Sequence, residues 1–320
     1  MQKMLLSSIF SPFEKDLQKL EEGFEFLKEE SPEIYSDLKC TTLAGGKRLR
    51  PLLVFMSCDI FNINHDSALI LASASEMIHA ASLCHDDVLD EATVRRDLPT
   101  LNVMRGNKQA ILSGDFLFAL ALKNLCQLKN VRTVETASQM IAELSQGEWT
   151  QEKCRKSKDY PEGIIEKIAL QKTASLFSWA FLAPALNTNA TPEEEQLAFT
   201  IGRELGLAFQ LVDDIIDYST DTGKETFIDL KRGVLNSVSW DYFNSKNLLK
   251  DFRDGKVQAE ELCQLKIFQT ALANTKSKAQ EHIQNSREAF SKLLALKKKD
   301  AKDKRLELFQ NITHGLLNKI

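Results

Sequence analysis

The chain has 320 residues, of which 43% are hydrophobic and 27% are charged, a composition that is typical of a globular protein and argues against a disordered one. This length suffices for one large domain or two ordinary ones. The formal net charge of −4 supplies no overall positive field for nucleic acid or an anionic membrane, so we expect no nucleic-acid partner.

Apolar residues recur at helical spacing along almost the whole chain, whereas alternating strand patterns are scarce. One helix start is well marked, because Thr191 can cap a helix whose first turn contains Pro192 and Glu194. No linker or long repeat divides the chain, so we predict an all-α protein with a single domain over residues 1–320. In chain order, the predicted helices are 10–30, 33–43, 49–62, 66–91, 108–128, 133–156, 162–186, 192–219, 237–252, 257–297 and, near the end, 303–318.

The cysteines and the N-terminal residues bear on the cellular compartment. The six cysteines are scattered without a Cys-x-x-Cys pair, which favours reduced thiols over a zinc site or a disulfide framework. The first residues lack the apolar stretch and cleavage site of a signal peptide, and no run approaches the roughly 20 apolar residues that span a bilayer. We therefore expect a cytoplasmic protein without a membrane anchor.

Two predicted helices are apolar on most faces and end in acidic clusters of identical spacing. The clusters consist of Asp86, Asp87 and Asp90, and of Asp213, Asp214 and Asp217. Residues i and i+4 share a helix face, so each cluster stacks two like charges and needs compensation. A solvated face or pairing with lysines would explain one cluster; the repetition favours Mg²⁺, which takes one or two carboxylates together with phosphate oxygens.

Basic residues near these clusters match a diphosphate, because the arginine fork donates two hydrogen bonds at once. Three cations occupy a turn before a predicted helix in Gly45-Gly46-Lys47-Arg48-Leu49-Arg50-Pro51. Others are Arg95-Arg96 after the first cluster, Lys172-Thr173 in a helical stretch, and Gly223-Lys224 after the second cluster. Any one of them is more often a surface charge; together with the acidic clusters they predict a diphosphate site.

The combined motifs closely resemble those of the trans-isoprenyl diphosphate (polyprenyl) synthase family over residues 40–235. They are the Gly-Gly-Lys-Arg-Leu-Arg-Pro turn, His85-Asp86-Asp87-Val88-Leu89-Asp90, Gly114-Asp115, Gln146-Gly147-Glu148, Lys172-Thr173-Ala174 and Phe209-Gln210 with the second cluster. Terpene cyclases share one Asp-Asp-x-x-Asp motif but usually lack the second cluster and the glycine-rich turn. The resemblance implies a bundle of the isoprenoid synthase type with a central substrate cavity, and usually a homodimer.

The resemblance also implies the reaction and its residues. Isopentenyl diphosphate would condense head to tail with an allylic diphosphate, assisted by three Mg²⁺ ions that stabilise the departing pyrophosphate. The implied metal ligands are Asp86, Asp90 and Asp213, with Asp87 and Asp217 beside them. The residues implied to hold the allylic diphosphate are Arg95, Lys172, Thr173, Gln210 and Lys224. Those implied to hold isopentenyl diphosphate are Lys47, Arg50, His79 and Arg96. The catalytic set is Asp86, Asp90, Asp213, Arg95 and Lys172.

Product length depends in this family on the residues before the first acidic cluster, where bulky aromatic side chains tend to mark short products. Ala81 and Ser82 leave this turn open, while Ile78 and Met77 one turn earlier narrow the path without closing it. We therefore predict a long-chain product of hexaprenyl to decaprenyl size, with geranylgeranyl diphosphate as the shorter alternative.

Three residues depart from the family pattern. Asp97 stands where glycine commonly follows the arginine pair, Phe227 replaces a glycine after the second cluster, and Val234 replaces a lysine that helps to hold the allylic diphosphate. Lys231 or Arg232 is a candidate substitute for that lysine. These departures leave open a second hypothesis, a non-catalytic or regulatory subunit of a heteromeric synthase.

Overall fold

The computed structural model describes residues 11–40, 43, 46, 48–219, 226–258, 262–298 and 304–320, and this part is almost entirely helical. The first helices are α1 (Glu14–Gly23), α2 (Phe26–Glu30), α3 (Pro32–Cys40), α4 (Leu49–Phe61), α5 (His65–Leu89), α6 (Leu101–Arg105), α7 (Asn107–Leu125) and α8 (Val131–Ser157). They are followed by α9 (Ile164–Ala169), α10 (Ser175–Leu186), α11 (Pro192–Ile216), α12 (Ile228–Lys231), α13 (Ser237–Ser245), α14 (Leu249–Arg253), α15 (Gln269–Leu296) and α16 (Lys304–Leu317). A π-helix, Leu170–Ala174, connects α9 to α10.

The predicted all-α fold is confirmed, and most helix boundaries agree with the prediction to within a few residues. The predicted capping of α11 is present: Glu194 N–H donates to Thr191 Oγ1 (3.2 Å) and Thr191 N–H donates to Glu194 Oε2 (2.8 Å). The predicted helix 10–30 is wrong as a single element, because it breaks between α1 and α2, where Phe24 turns into the core.

Two other predicted helices also differ from the structure. The predicted helix 237–252 is divided into α13 and α14. The predicted helix 257–297 is wrong in its first part, since α15 begins only at Gln269, after the 3-10 turn Leu265–Phe268. That turn places Phe268 in an aromatic core, a tertiary contact that helical periodicity does not reveal.

One compact unit comprises Met1–Ile141 and Trp179–Gln196. In it, α5 packs most extensively along α7 and also against α4. The contact is close at Gly114 of α7, where an added Cβ would lie 2.4 Å from His85 Nε2 and 3.1 Å from the Ala81 carbonyl oxygen. Gly114 therefore allows α7 to approach the end of α5 that carries the first acidic cluster.

The first unit also contains a hairpin that the sequence did not predict. Strands β1 (Val94–Arg95) and β2 (Leu98–Pro99) pair antiparallel, with Arg95 opposite Leu98. The two turn residues between them, Arg96 and Asp97, have φ angles of 53° and 64°. Two-residue hairpin loops favour positive φ at both positions, because that twist matches the flanking strands.

The second compact unit comprises Ala142–Ser178 and Leu197–Ile320. Its core contains an aromatic group formed by Tyr160, Tyr218, Phe227, Phe243, Phe252 and Phe268. Helix α15 packs against both α13 and α16. The prediction of one domain over 1–320 stays a prediction, as does the central cavity.

Two helical segments of the described chain, His65–Leu89 and Asn107–Leu128, are long and apolar enough to cross a membrane by composition alone. Of the first apolar window, 67% is buried inside the protein, as is usual for the core helix of a globular protein; the value for the second is 39%. The predicted absence of a membrane anchor stays a prediction.

Candidate active site

The first acidic cluster lies at the end of α5, with Asp86 and Asp87 in its last turn and Asp90 directly after it, and the three carboxylates have different surroundings. Asp87 is 1% exposed and accepts hydrogen bonds from Arg95 Nε (2.9 Å) and Arg95 Nη2 (2.7 Å). Asp86 is half-buried and Asp90 is exposed. Asp87 and Arg95 thus neutralise each other, while Asp86 and Asp90 keep contact with solvent on one helix face.

Asp97 has a conformational explanation. It occupies the second turn position of the β1–β2 hairpin with positive φ, a conformation that glycine adopts freely and that aspartate tolerates better than most residues. Its side chain is exposed. The aspartate therefore fits the hairpin without requiring glycine.

The residues predicted to hold isopentenyl diphosphate come together around the turn before α4, except that Lys47 lies outside the described residues. Gly46 has a φ of 97°, and an added Cβ would lie 2.7 Å from Arg96 Nη1, so the Arg96 guanidinium lies directly against this glycine. Arg50 is in the first turn of α4, and His79 is on α5.

His79 is held as a neutral imidazole. Burial of the ring lowers its pKa well below 6.5, and the charges of nearby arginines lower it further; these are, in order of effect, Arg50, Arg96, Arg95 and Arg48. A neutral imidazole can donate one hydrogen bond without adding a charge. This cationic group is therefore suited to binding an anion.

In the second acidic cluster, at the end of α11, Asp213 is exposed whereas Asp214 is 4% exposed. Asp214 accepts hydrogen bonds from Gln210 Nε2 (2.8 Å) and from the Ser237 N–H (2.9 Å). Burial raises its pKa to about 6, against the opposing effect of these hydrogen bonds. Asp214 therefore supports the start of α13, and Asp213 is the member of this cluster that most clearly faces solvent.

Asp217 has one oxygen in use and one without a partner. Its Oδ1 accepts from the Ile228 N–H at 2.9 Å, whereas Oδ2 is buried and no described residue donates to it. Burial raises the pKa of Asp217 to about 6, and the neighbouring Asp229 adds to this effect. A buried carboxylate oxygen without a donor fits a cation, as do the all-oxygen donor sets of both clusters.

Within the described residues, no three His, Cys, Asp or Glu side chains are grouped closely enough to hold an ion by themselves. This is compatible with Mg²⁺, which commonly takes only one or two protein carboxylates and completes its shell with water and substrate phosphate. The predicted metal-ligand roles of Asp86, Asp87, Asp90, Asp213 and Asp217 stay predictions.

We expect Asp217→Asn to stabilise the metal-free protein above pH 6. The folded state binds the Asp217 proton more tightly than the unfolded state, so this residue costs stability as the pH rises from about 4 through 6. Asparagine keeps the oxygen that accepts from Ile228 and removes the charge. In EDTA, thermal unfolding should show a gain of about 1 to 2 kcal/mol at pH 7.5 that disappears near pH 4. A loss of stability at pH 7.5 would contradict this account.

The predicted allylic residues Lys172 and Thr173 lie in the π-helix. Such segments put an extra residue into a helical turn and often occur at functional sites. Lys172 Nζ contacts Glu148 Oε1 (2.6 Å) and donates to Gln151 Oε1 (3.0 Å). Thr173 Oγ1 donates to Gln210 Oε1 (2.6 Å), and Gln210 in turn donates to Asp214. Lys224 lies outside the described residues.

Glycines bring the neighbouring helices close to this π-helix and to the start of α10. An added Cβ would lie 2.7 Å from Lys172 Cγ at Gly147 and 2.6 Å from the Ala174 Cα at Gly206. At Gly202 it would lie 2.2 Å from the Phe177 carbonyl oxygen. Close packing on both α8 and α11 therefore fixes the backbone that carries Lys172 and Thr173.

The remaining departures from the family pattern have different surroundings. Phe227 has a φ of 60°, which suits glycine, yet its ring is buried against Tyr218 (5.1 Å between centroids) and Phe268 (6.1 Å). Aromatic packing offsets the unfavourable backbone conformation. Val234 is half-buried, and its N–H donates to the Asp229 carbonyl oxygen (2.9 Å). Lys231 and Arg232 are exposed near it in the chain.

The predicted chain-length residues lie along the middle of α5. Met77, Ile78 and Ala81 are fully buried, and Ser82 is half-buried with its hydroxyl donating to the His79 carbonyl oxygen (2.9 Å). Ala81 and Ser82, five and four residues before Asp86, both have small side chains. Sequence reasoning missed Glu76, its pairing with Arg48, and the contact of Glu148 with Lys172. The signal for Glu76 was a lone acid inside an otherwise apolar helix.

The chain is similar to known prenyl diphosphate synthases over most of its length. Solanesyl diphosphate synthase 3 of Arabidopsis thaliana is 32% identical over 302 residues, which cover 86% of this chain and 70% of the relative. The structure of a decaprenyl diphosphate synthase from Rhodobacter capsulatus superposes with a TM-score of 0.87 at 26% identity, covering 98% of this chain and 99% of that one.

A polyprenyl synthase from Caulobacter crescentus, solved with calcium and isoprenyl diphosphate, gives a TM-score of 0.85 at 26% identity over 98% of each chain. The polyprenyl synthetase family model matches residues 31–296. These findings confirm the predicted resemblance, the isoprenoid synthase fold and the prenyltransferase class. The chain belongs to the polyprenyl synthetase family.

Proposed function

We propose that the protein is a trans-polyprenyl diphosphate synthase that makes a long-chain product. The observation that carries this proposal is the group formed by Arg50, Arg96 and neutral His79. His79 lies on α5, the same helix that has Asp86 and Asp90 at its end. An anion site adjoining solvent-facing carboxylates suits two diphosphates together with divalent metal. The solanesyl and decaprenyl synthases among the relatives support the long-chain reading, and the shorter-chain and non-catalytic alternatives are not favoured.

In the proposed reaction, Arg50 and Arg96 hold isopentenyl diphosphate, and Arg95 and Lys172 hold the allylic diphosphate. The allylic C–O bond ionises, the isopentenyl double bond attacks the resulting carbocation, and pyrophosphate leaves with the electron pair of the broken bond. The new C–C bond leaves a cation that loses a proton to the released pyrophosphate. Lysine and arginine lower the barrier by balancing the charge that develops on the leaving group.

Divalent metal fits the donor set, and the calcium-containing relative agrees with this. We propose Mg²⁺, three ions with substrate bound, with Asp86, Asp90 and Asp213 as ligands. Bound Mg²⁺ would supply positive charge to the departing pyrophosphate.

The proposed function is tested by incubating the protein with Mg²⁺, labelled isopentenyl diphosphate and farnesyl or geranylgeranyl diphosphate. The lengths of the extracted prenyl chains are then measured. Failure to form product with any allylic primer would favour a subunit that needs a partner.

Chain length provides a sharper test of the same proposal. Ala81 is fully buried one turn before the first cluster, so Ala81→Phe would place a ring in the path proposed for the growing chain. We expect the main product to shorten to geranylgeranyl size or below while isopentenyl incorporation continues. Leu83→Phe, on a different face of α5, is the matched control and should leave product length unchanged. A long product from Ala81→Phe would contradict the proposed path.

We propose that the protein is a homodimer. Four large apolar side chains of α6 and α7 are exposed: Val103 (54%), Met104 (42%), Ile111 (44%) and Leu112 (63%). Burial of such a patch in a second copy would remove apolar area from water. Leu112→Glu should shift the protein to monomer in sedimentation velocity, whereas Val131→Glu, an exposed change at the start of α8, serves as control. An unchanged dimer would place the interface elsewhere.

We also propose that the protein is cytoplasmic and has no membrane anchor. Fractionation of cells into soluble and membrane fractions tests this location.

A further inference from the structure

Arg48 lies in the turn before α4 but differs from the neighbouring cations, because its side chain is almost fully buried. Its Nε donates to Glu21 Oε1 (2.5 Å), its Nη1 to Glu76 Oε1, and its Nη2 to the Leu43 carbonyl oxygen (2.6 Å). All three nitrogens of the guanidinium are thus used inside the protein. Arg48 is therefore a structural cation in this turn rather than a candidate diphosphate ligand.

The backbone of Arg48 is unusual as well. Its φ of 44° and ψ of 36° place it in the left-handed region, which a long side chain occupies only when its surroundings hold it there. Gly46 lies two residues before it, against the Arg96 guanidinium, and Arg50 lies two residues after it. The conformation of Arg48 therefore sets the direction of the chain between Gly46, which contacts Arg96, and Arg50 in the first turn of α4.

Glu76 is the buried partner in this network. It is 4% exposed and lies on α5, one helical turn before His79. Glu21, the other acidic partner of Arg48, has a side chain that is 49% exposed. A buried ion pair fixes geometry more firmly than an exposed one, because neither charge can be compensated by water. Burial lowers the pKa of Arg96, and the charge of Glu76 opposes that effect.

We propose that Glu76 is a positioning residue for the isopentenyl diphosphate site. By holding the Arg48 guanidinium, it keeps Arg48 in its left-handed conformation at the start of α4, and so sets the position of Arg50 and of Gly46, against which Arg96 packs. It also keeps Arg48 engaged, so that this arginine does not compete for the diphosphate. The inference rests on the proposed function, since it assigns Glu76 to one of the two substrates of that reaction.

The test is a steady-state comparison of the two substrates. Glu76→Gln keeps the size of the side chain and removes its charge. We expect the KM for isopentenyl diphosphate to rise about tenfold, with the KM for farnesyl diphosphate and kcat changing less than about threefold. Glu25→Gln is the matched control, because Glu25 pairs with Tyr35 and Lys39 in the same region without contacting Arg48. Glu76→Asp, which keeps the charge, should recover part of the lost affinity.

A second variant covers the case in which Glu76→Gln does not fold. The double change Arg48→Met with Glu76→Met removes both charges together, which buried pairs commonly tolerate. It should fold and still show the selective rise in the isopentenyl diphosphate KM. Calorimetric titration with isopentenyl diphosphate alone should show the same weakening.

The outcomes separate this inference from the proposed function. Wild-type protein that forms no prenyl product would overturn the proposed function. Active wild-type protein whose variants show unchanged KM values, or equal rises for both substrates, would overturn the role of Glu76 while leaving the proposed function standing. A selective rise in the isopentenyl diphosphate KM, measured in protein that stays folded at the assay temperature, would establish it.

Discussion

Asp86→Asn is expected to lower kcat/KM by about a hundredfold to a thousandfold, the loss that follows removal of one group stabilising transition-state charge. Asp86 is half-buried at the end of α5 and stacks with exposed Asp90 on one helix face. Asparagine keeps the shape of the side chain but offers a metal one neutral oxygen. The measurement is incorporation of labelled isopentenyl diphosphate over a range of Mg²⁺ concentrations.

The matched control for Asp86→Asn is Asp66→Asn, an exposed acid in the first turn of the same helix. Its loss removes only a favourable interaction with the helix dipole, worth a few tenths of a kcal/mol, and should leave activity unchanged. Asp86→Asn should also need more Mg²⁺ for half-maximal activity, while its melting temperature stays within about 2 °C of wild type. Full activity at ordinary Mg²⁺ would remove Asp86 from the proposed ligand set.

Gly202→Ala is expected to destabilise the protein by about 3 kcal/mol or more, the upper part of the range for overpacked cores. The added Cβ would stand 2.2 Å from the Phe177 carbonyl oxygen and 2.7 Å from the Ser178 Cα, and backbone atoms cannot move aside as a flexible side chain can. Alanine favours a helix over glycine by about 1 kcal/mol, which is too little to compensate. Thermal unfolding should show a fall of roughly 5–10 °C.

Gly23→Ala distinguishes the contact at Gly202 from a general effect of changing glycine. Gly23 ends α1 and has no foreign heavy atom within 4 Å of an added Cβ, so this variant should be neutral or slightly more stable. Because Gly202 packs beside the segment that carries Lys172 and Thr173, folded Gly202→Ala protein should also show a higher KM for the allylic diphosphate. A melting temperature equal to that of wild type would mean that the two helices pack less closely than described.

The sequence by itself determined the helical class and the candidate chemistry. Apolar side chains must recur about every 3.6 residues wherever a helix packs on a core, so the periodicity of α5 or α11 is visible without tertiary contacts. The Asp-Asp-x-x-Asp spacing likewise fixes which carboxylates share a helix face, and the order of motifs along the chain identified the family. Helix capping at Thr191 is equally local and was confirmed.

Only the tertiary structure decided which polar residues are buried and with what they pair. Asp213 and Asp214 are adjacent in the sequence, yet one is exposed and the other receives hydrogen bonds from Gln210 and Ser237. Phe227 is accommodated because distant Phe268 packs against it, and Glu76 is paired because the turn before α4 brings Arg48 to it. Such contacts join residues far apart in the chain, and local propensity carries no information about them, so the start of α15 and the role of Glu76 could be recognised only in the folded protein.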